Sequence, residues 1–247
     1  MENALLIGLS RQMALSRELD VIANNVANVA TTGFKARSLR FEEYLAPEAS
    51  ADAFAKPDQP LSYVVDKASG LDMSAGPLEM TGRELDVALR GPGVFAVQTP
   101  EGERYTRNGA FEINAAGELV TSDGYKVLGD GGPLVFGANE TAITFAADGT
   151  VSSSDGVKGR LKLLQVNSPS QLENVGANIY RALAALQPAQ PDVRVQGGAV
   201  ERSNVNAVTE MSRLIEVNRA YQSVSSMIQR NDELRRSAIE KLAAPPA

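Results

Sequence analysis

Residues 23–35 read ANNVANVATTGFK, and the way this run is taken decides the fold. It closes an N-terminal stretch of 30 residues that holds no proline and a single glycine, Gly8. Positions 5, 8, 12, 15, 19, 22, 26 and 29 follow 3,4 spacing, and six of these eight are apolar: Leu5, Leu15, Leu19, Ile22, Val26 and Val29. That period predicts an amphipathic helix with an apolar seam. Thr31-Thr32-Gly33 is expected to end it, because glycine takes the left-handed closing conformation at little cost. Asn24, Asn25 and Asn28 are mediocre helix formers, and Asn24 and Asn28, four apart, share a face. Two readings stand for them: a polar helix end decaying into a turn, or amides beside an apolar seam that bond across helices and fix register.

The other end of the chain answers the first. In SNVNAVTEM (203–211), Ser203, Asn204 or Asn206 can cap a helix and Glu210 favours its first turn. No glycine or proline follows until Pro245, so a helix reaching about Leu242 is expected, roughly 50 Å long at the usual rise. Leu214, Val217, Tyr221, Val224 and Ile228 repeat the 3,4 spacing. Two seams at opposite chain ends are buried most simply against each other, which makes everything between them an insertion. Leu6, Ile7, Met13, Met211, Ile215 and Met227 lie off both stripes. A two-helix pair cannot cover both sets, so it needs neighbours, and the neighbours expected are other copies or related subunits.

Between the helices the pattern changes. After Phe34 to Leu45, residues 46–60 (APEASADAFAKPDQP) are aperiodic and read as a loop or linker. From Leu61 to about Val166, short β-rich runs are separated by turn residues such as Pro100-Glu101-Gly102, Asp123-Gly124 and Asp148-Gly149, the mark of an antiparallel β domain. Residues 167–200, with Pro169, Pro188, Pro191 and Gly197-Gly198, read as a loop-rich return. The expected organisation is an N-terminal helix over 1–33, a linker over 34–60, a β-rich domain with its return over 61–200 and a C-terminal helix over 201–247. The fold class is α+β: long terminal helices packed as a coiled-coil-like pair, with the antiparallel β domain inserted between them.

Composition narrows the function. The 247 residues include no His, Cys or Trp, which removes Ser/His and Cys/His nucleophile pairs, thiolate zinc sites, disulfides and CxxC redox chemistry together. Glu42-Glu43 and Asp232-Glu233 are sequence neighbours that do not converge, and Gly91-Pro92-Gly93 and Gly129 to Gly132 lack phosphate-loop spacing. Asp148-Gly149-Thr150 lacks the acidic spacing of a calcium loop. No catalytic residue, metal site or cofactor is assigned. Net charge is −6: residues 41–205, with 13 basic and 22 acidic groups, carry −9, offset by slightly basic ends, so nucleic acid is not an expected partner. No apolar run approaches a membrane span, and no cleaved secretion signal is read at the N-terminus.

Three ordered segments carry a resemblance: ANNVANVATTGFK; then TGRELDVAL (81–89) with GPGVFAVQTPEGERYTRNGAFEINAAGELVTSDGYKVLG (91–129); and SNVNAVTEMSRLIEVNRAYQSVSSMIQRNDEL (203–234). Together they resemble the flagellar axial proteins, the bacterial rod, hook and hook-associated subunits. The length and central segment are most similar to the proximal-rod members, with the distal-rod members a close runner-up. The resemblance implies a non-enzymatic building block of the rod that crosses the periplasm, exported by the flagellar type III apparatus without signal cleavage. Its partners would be other copies and other rod proteins. Assembly contacts would come from Leu15, Leu19, Ile22, Val26, Leu214, Val217, Tyr221, Val224 and Ile228, with Asn24, Asn25 and Asn28 setting register and Gly33 turning the chain outward. An alternative from another class is a soluble coiled-coil adaptor or export chaperone.

Overall fold

The computed structural model describes residues 2–46, 61–176 and 178–243, and they form two compact units. Two long helices, α1 (Glu2–Ala27) and α2 (Ala207–Ala243), share the first unit with the paired strands Arg37–Ala46 and Leu61–Leu71, except for the end residues Ala27 and Leu71. Residues Ala27–Ala36 and Leu71–Asn206 make up the second. The α+β class holds: a helix at each end, and a large antiparallel β region between them.

α1 and α2 touch at four places along their length. A Cβ at Gly8 would lie 3.3 Å from Ile228, Gln12 Nε2 donates to the Tyr221 hydroxyl at 3.1 Å, Arg213 Nη2 lies 2.7 Å from Glu18 Oε1, and Asn25 Nδ2 donates to Glu210 Oε2 at 3.3 Å. Numbers rise along one helix as they fall along the other, so the helices run antiparallel.

α1 stops at Ala27, short of the end expected at Thr31-Thr32-Gly33. Thr31 N–H returns to Asn28 O at 3.1 Å and Thr31 Oγ1 donates to Asn28 Oδ1 at the same distance. Asparagine and threonine offer the backbone local bonds that compete with a continuing helix, and here they win. Asn28 therefore sits beyond the last helical turn and not on a face shared with Asn24. Arg37–Ala46, inside the stretch read as a linker, is a strand. The remainder of that stretch, 47–60, lies outside the described residues.

The strand Gly93–Thr99 is the centre of the β unit. Gly102–Thr106 pairs along one edge, while Leu163–Gln165 and Lys126–Gly129 take successive parts of the other. Its apolar run Val94-Phe95-Ala96-Val97 is buried throughout, as expected of a strand covered on both faces. The twofold alternation sorts these residues into two cores. Phe95 and Val97 join Val87, Leu89, Phe111, Leu119, Val127 and Leu163, whereas Val94 and Ala96 join Leu71, Leu128, Leu164, Leu172 and Tyr180. Neighbouring residues of the flanking strands, Val127/Leu128 and Leu163/Leu164, divide between the cores in the same way. Phe95 and Phe111 meet edge to face, with ring centres 5.1 Å apart.

The return over 167–200 is more regular than its composition suggests. Leu172–Gly176 pairs with Ile179–Ala182, Gln187–Pro188 with Leu163–Gln165, and Arg194–Gly197 with Val87–Arg90. These strands are two to five residues long and most of their partners lie far away in sequence, so no local period announces them.

Glu140 fastens the hairpin Thr150–Ser153/Gly156–Arg160. Its carboxylate bonds to Lys158 Nζ, accepts from Ser153 Oγ at 2.7 Å and accepts from Gly137 N–H at 2.8 Å. Those bonds, the one from Lys158 foremost, hold its pKa at about 2 against an ordinary 4.5. Glu79 beside Arg202, Glu118 beside Lys126 and Asp148 on Thr150 are depressed in the same direction. A carboxylate held low stabilises the fold fully above its unfolded pKa and loses that contribution as pH falls through its folded one. The melting temperature of the β unit is therefore expected to fall on acidification from pH 4.5 to about 2, and Glu140→Gln to flatten that fall. Near-UV circular dichroism melts at stepped pH check this, and parallel curves for the two proteins would contradict it.

Candidate assembly interface

The residues of the expected seam are unevenly covered. Ile22 and Val217 are buried, while Leu15, Leu19, Val26, Leu214, Tyr221, Val224 and Ile228 are half-buried. A second set of apolar side chains faces solvent: Leu9 and Met13 on α1, and Val208, Met211, Ile215, Met227, Leu234 and Ile239 on α2, each half or more exposed. At 100° per residue, Leu9 and Met13 lie on the order of a third of a turn from the α1 seam; Val208, Met211 and Ile215 lie roughly as far or further to one side of the α2 seam, Met227 and Leu234 to its other side, and Ile239 in line with it. Met13, Met211, Ile215 and Met227 are four of the residues whose spacing leaves them off the seams. α2 is also the longer helix, 37 residues against 26, and Leu234 and Ile239 fall in its last three turns.

The asparagines separate. Asn25 is buried and its amide is engaged within its own chain: Nδ2 donates to Arg37 O and Oδ1 accepts from Arg37 N–H, both at 2.9 Å, with Glu210 as a third contact. It clips the first residue of a strand to the last turn of α1, much as a strand neighbour would. Asn24 is exposed on α1, and Asn28 is half-buried in the turn that follows.

Gly33 is left-handed and makes a close contact that the sequence does not announce. Its φ is +66°, its N–H donates to Glu201 O at 2.7 Å, and a Cβ there would lie 2.4 Å from the backbone of Arg107 and Asn108. Two residues on, Lys35 is fully buried and its Nζ contacts Glu201 Oε1 at 2.7 Å and Ser74 O at 2.6 Å. Glu201 Oε1 also accepts from Gly76 N–H at 2.8 Å, and Glu201 Oε2 lies 2.7 Å from Arg107 Nη2. That last approach is close but poorly aligned as a hydrogen bond, so it acts chiefly through charge. Arg107 further donates to the carbonyls of Gly91, Gly93 and Leu89. Burial first, and the neighbouring Arg107 second, push the Lys35 ammonium below its ordinary pKa against the pull of Glu201; burial does the same to Arg107.

Asn204 completes the arrangement. Its Oδ1 accepts from Ala36 N–H at 2.7 Å, and its Nδ2 donates to Asp72 O at 2.8 Å and Ser74 O at 3.3 Å. It is a tie between segments rather than the helix cap that its position suggests. Lys35, Arg107 and Glu201 carried no sequence signal as a group. What they share, burial in one cluster, becomes visible only when the segments meet.

Comparison with known proteins agrees with this architecture. Residues 5–35 match the family described as Flagella basal body rod protein, residues 88–153 the Flagellar hook protein FlgE/F/G D1 domain, and residues 196–241 the Flagellar basal body rod FlgEFG protein C-terminal. Among its relatives, the flagellar basal-body rod protein FlgF of Caulobacter vibrioides is 42% identical over 98% of both chains, and that of Rhizobium meliloti 34% identical over the same share. The flagellar basal-body rod protein FlgG of Bacillus subtilis is 32% identical over 95% of this chain and 97% of its own. The chain belongs to the flagellar basal-body rod protein family and is a structural subunit of the rod. Within that family it is FlgF-like.

Alanine at Gly33 forces a left-handed residue to carry a side chain into the Arg107 backbone. Gly33→Ala is expected to lower stability by on the order of 2–4 kcal/mol, read from urea denaturation of the purified protein. A midpoint unchanged from wild type would mean that the close approach is not obligatory.

Proposed function

We propose that this subunit polymerises through its two terminal helices and takes the proximal position in the rod. The observation that carries this reading is the second apolar set: Leu9, Met13, Val208, Met211, Ile215, Met227, Leu234 and Ile239 stand exposed on a helix pair whose seam is itself half-covered. Isolated exposed apolar residues are ordinary, but Leu9/Met13 on α1 and Val208/Met211/Ile215 on α2 stand at helical spacing, and stripes of that kind mark a surface that is buried elsewhere. Within the subunit, Leu15, Leu19, Ile22 and Val26 face Leu214, Val217, Tyr221, Val224 and Ile228 as a coiled-coil-like pair. The exposed stripes take neighbouring copies and other rod subunits, with Asn24 and Asn28 setting register beside them. Asn25 and Gly33 act one step earlier, by fixing how the chain leaves α1. The protein travels unfolded through the flagellar type III apparatus and is built into the rod within the periplasm, without a cleaved signal peptide. No catalytic role is assigned.

The FlgF of Caulobacter vibrioides favours the proximal position, by its identity and full-length match. The FlgG of Bacillus subtilis keeps the distal position as the second reading. Imaging basal bodies from a deletion strain separates them by where rod growth stops.

Exposed and half-buried positions make a sharper test of polymerisation. Ile215→Asp alters a solvent-facing residue and is expected to change monomer stability by no more than about 0.5 kcal/mol while abolishing motility and complete rods. Val224→Asp, half-buried on the seam, is expected to lose both, because a carboxylate cannot be covered without a partner. Motile cells with normal rods carrying Ile215→Asp would overturn the proposal. A helix pair acting only as a reversible adaptor would instead leave rods intact.

A further inference from the structure

The chain passes between its helical and β units through three segments: Ala27–Ala36, the residues from Leu71 onward, and those up to Asn206. Within the β unit these segments are laced to one another. Asp72 N–H donates to Ala36 O at 2.8 Å, Arg202 N–H to Pro77 O at 2.9 Å, and Gly33 N–H to Glu201 O at 2.7 Å. Asn204 bonds to both of the other segments, and the Glu201 carboxylate gathers Lys35, Gly76 N–H and Arg107. We propose that Glu201, with Lys35 and Arg107, is a junction lock: a buried charge cluster that keeps the three connecting segments together independently of the helices they lead to.

The lock has a built-in asymmetry. It contains two cations and one anion, all with side chains at most 2% exposed. Removing Lys35 leaves a neutral Glu201–Arg107 pair. Removing the charge of Glu201 leaves two cations facing each other with only the weaker pull of Asp72 on Lys35 to offset them, the costlier defect in a low-dielectric interior. Arg107 alone remains well held, since three carbonyls accept from it. Loss of Lys35 should therefore repair part of the damage done by loss of the Glu201 charge, the reverse of what two independent contacts would show.

Hydrogen exchange on the purified full-length chain at pH 7 tests this, with Glu201→Gln, Lys35→Met and the double variant. The junction amides of Gly33, Ala36, Asp72, Gly76 and Arg202 are compared with those of Ala96, Lys162 and Val166 in the sheet. In Glu201→Gln the junction amides are expected to exchange at least about tenfold faster relative to the sheet amides, and in Lys35→Met less than about threefold faster. The double variant is expected to exchange more slowly at the junction than Glu201→Gln. Equal effects of the two single changes, acceleration spread evenly over junction and sheet, or a double variant no slower than Glu201→Gln would each overturn the lock. Should Glu201→Gln fail to fold, the double variant is expected to recover the folded state, and an unfolded double variant would overturn the proposal as well.

Discussion

Glu201 is the point at which the requirements of this chain meet. A buried carboxylate is tolerated only when charge and hydrogen bonds reach it from its surroundings, and those surroundings come from three places far apart in sequence. Lys35 follows α1, Gly76 follows the strand that returns from the helical unit, and Arg107 stands in the β region. None of these groups can be satisfied by local structure. The β unit is therefore complete only when the chain has gone out and come back, which couples its closing contacts across 166 residues of sequence, the separation of Lys35 and Glu201. Gly33 belongs to the same constraint, because the segment bearing Lys35 must press against the Arg107 backbone to bring the ammonium within reach.

The helices obey the opposite rule. Their seam residues are largely half-buried, and a further set lies open to solvent, so burial within one chain leaves their apolar surface unfinished. Ordering long helices costs backbone and side-chain entropy that a single shared seam offsets only in part. A helix pair of this kind gains most when more surface is covered from outside. The two units thus differ in how far burial is completed within the chain: thoroughly in the β unit, with its two cores and buried charge cluster, and only in part along the helices.

The sequence made some of this legible and hid the rest for definable reasons. Helical seams announce themselves because a 3,4 period is local, and Leu15, Leu19, Ile22 and Val26 display it without any partner. Turn residues at short intervals marked the antiparallel β region for the same reason. The strands of the return, such as Gln187–Pro188 and Arg194–Gly197, are too short for a period and take their identity from partners more than 20 residues away. α1 ends at Ala27 because Asn28 and Thr31 bond to each other, a competition that composition registers only as poor helix propensity. Asn25 and Asn204 were visible as unusual amides, but an amide does not disclose whether its partner is a neighbouring subunit or the backbone of its own chain. Lys35, Arg107 and Glu201 looked like any surface charges.

The missing residue types then acquire a physical sense. Histidine is the side chain whose ordinary pKa places a charge change between pH 5 and 8, and this chain contains none. The carboxyls of Glu140, at about 2, and of Glu79, Glu118 and Asp148 are all held below their ordinary values, so these four keep their charges through that range and give them up only in acid. The exposed side chains of Leu9, Met13, Val208, Met211 and Ile215 on α1 and α2 are apolar and do not titrate at all. In a structural subunit of the rod, acid is thus the condition that loosens these four carboxylates, rather than a change of pH between 5 and 8.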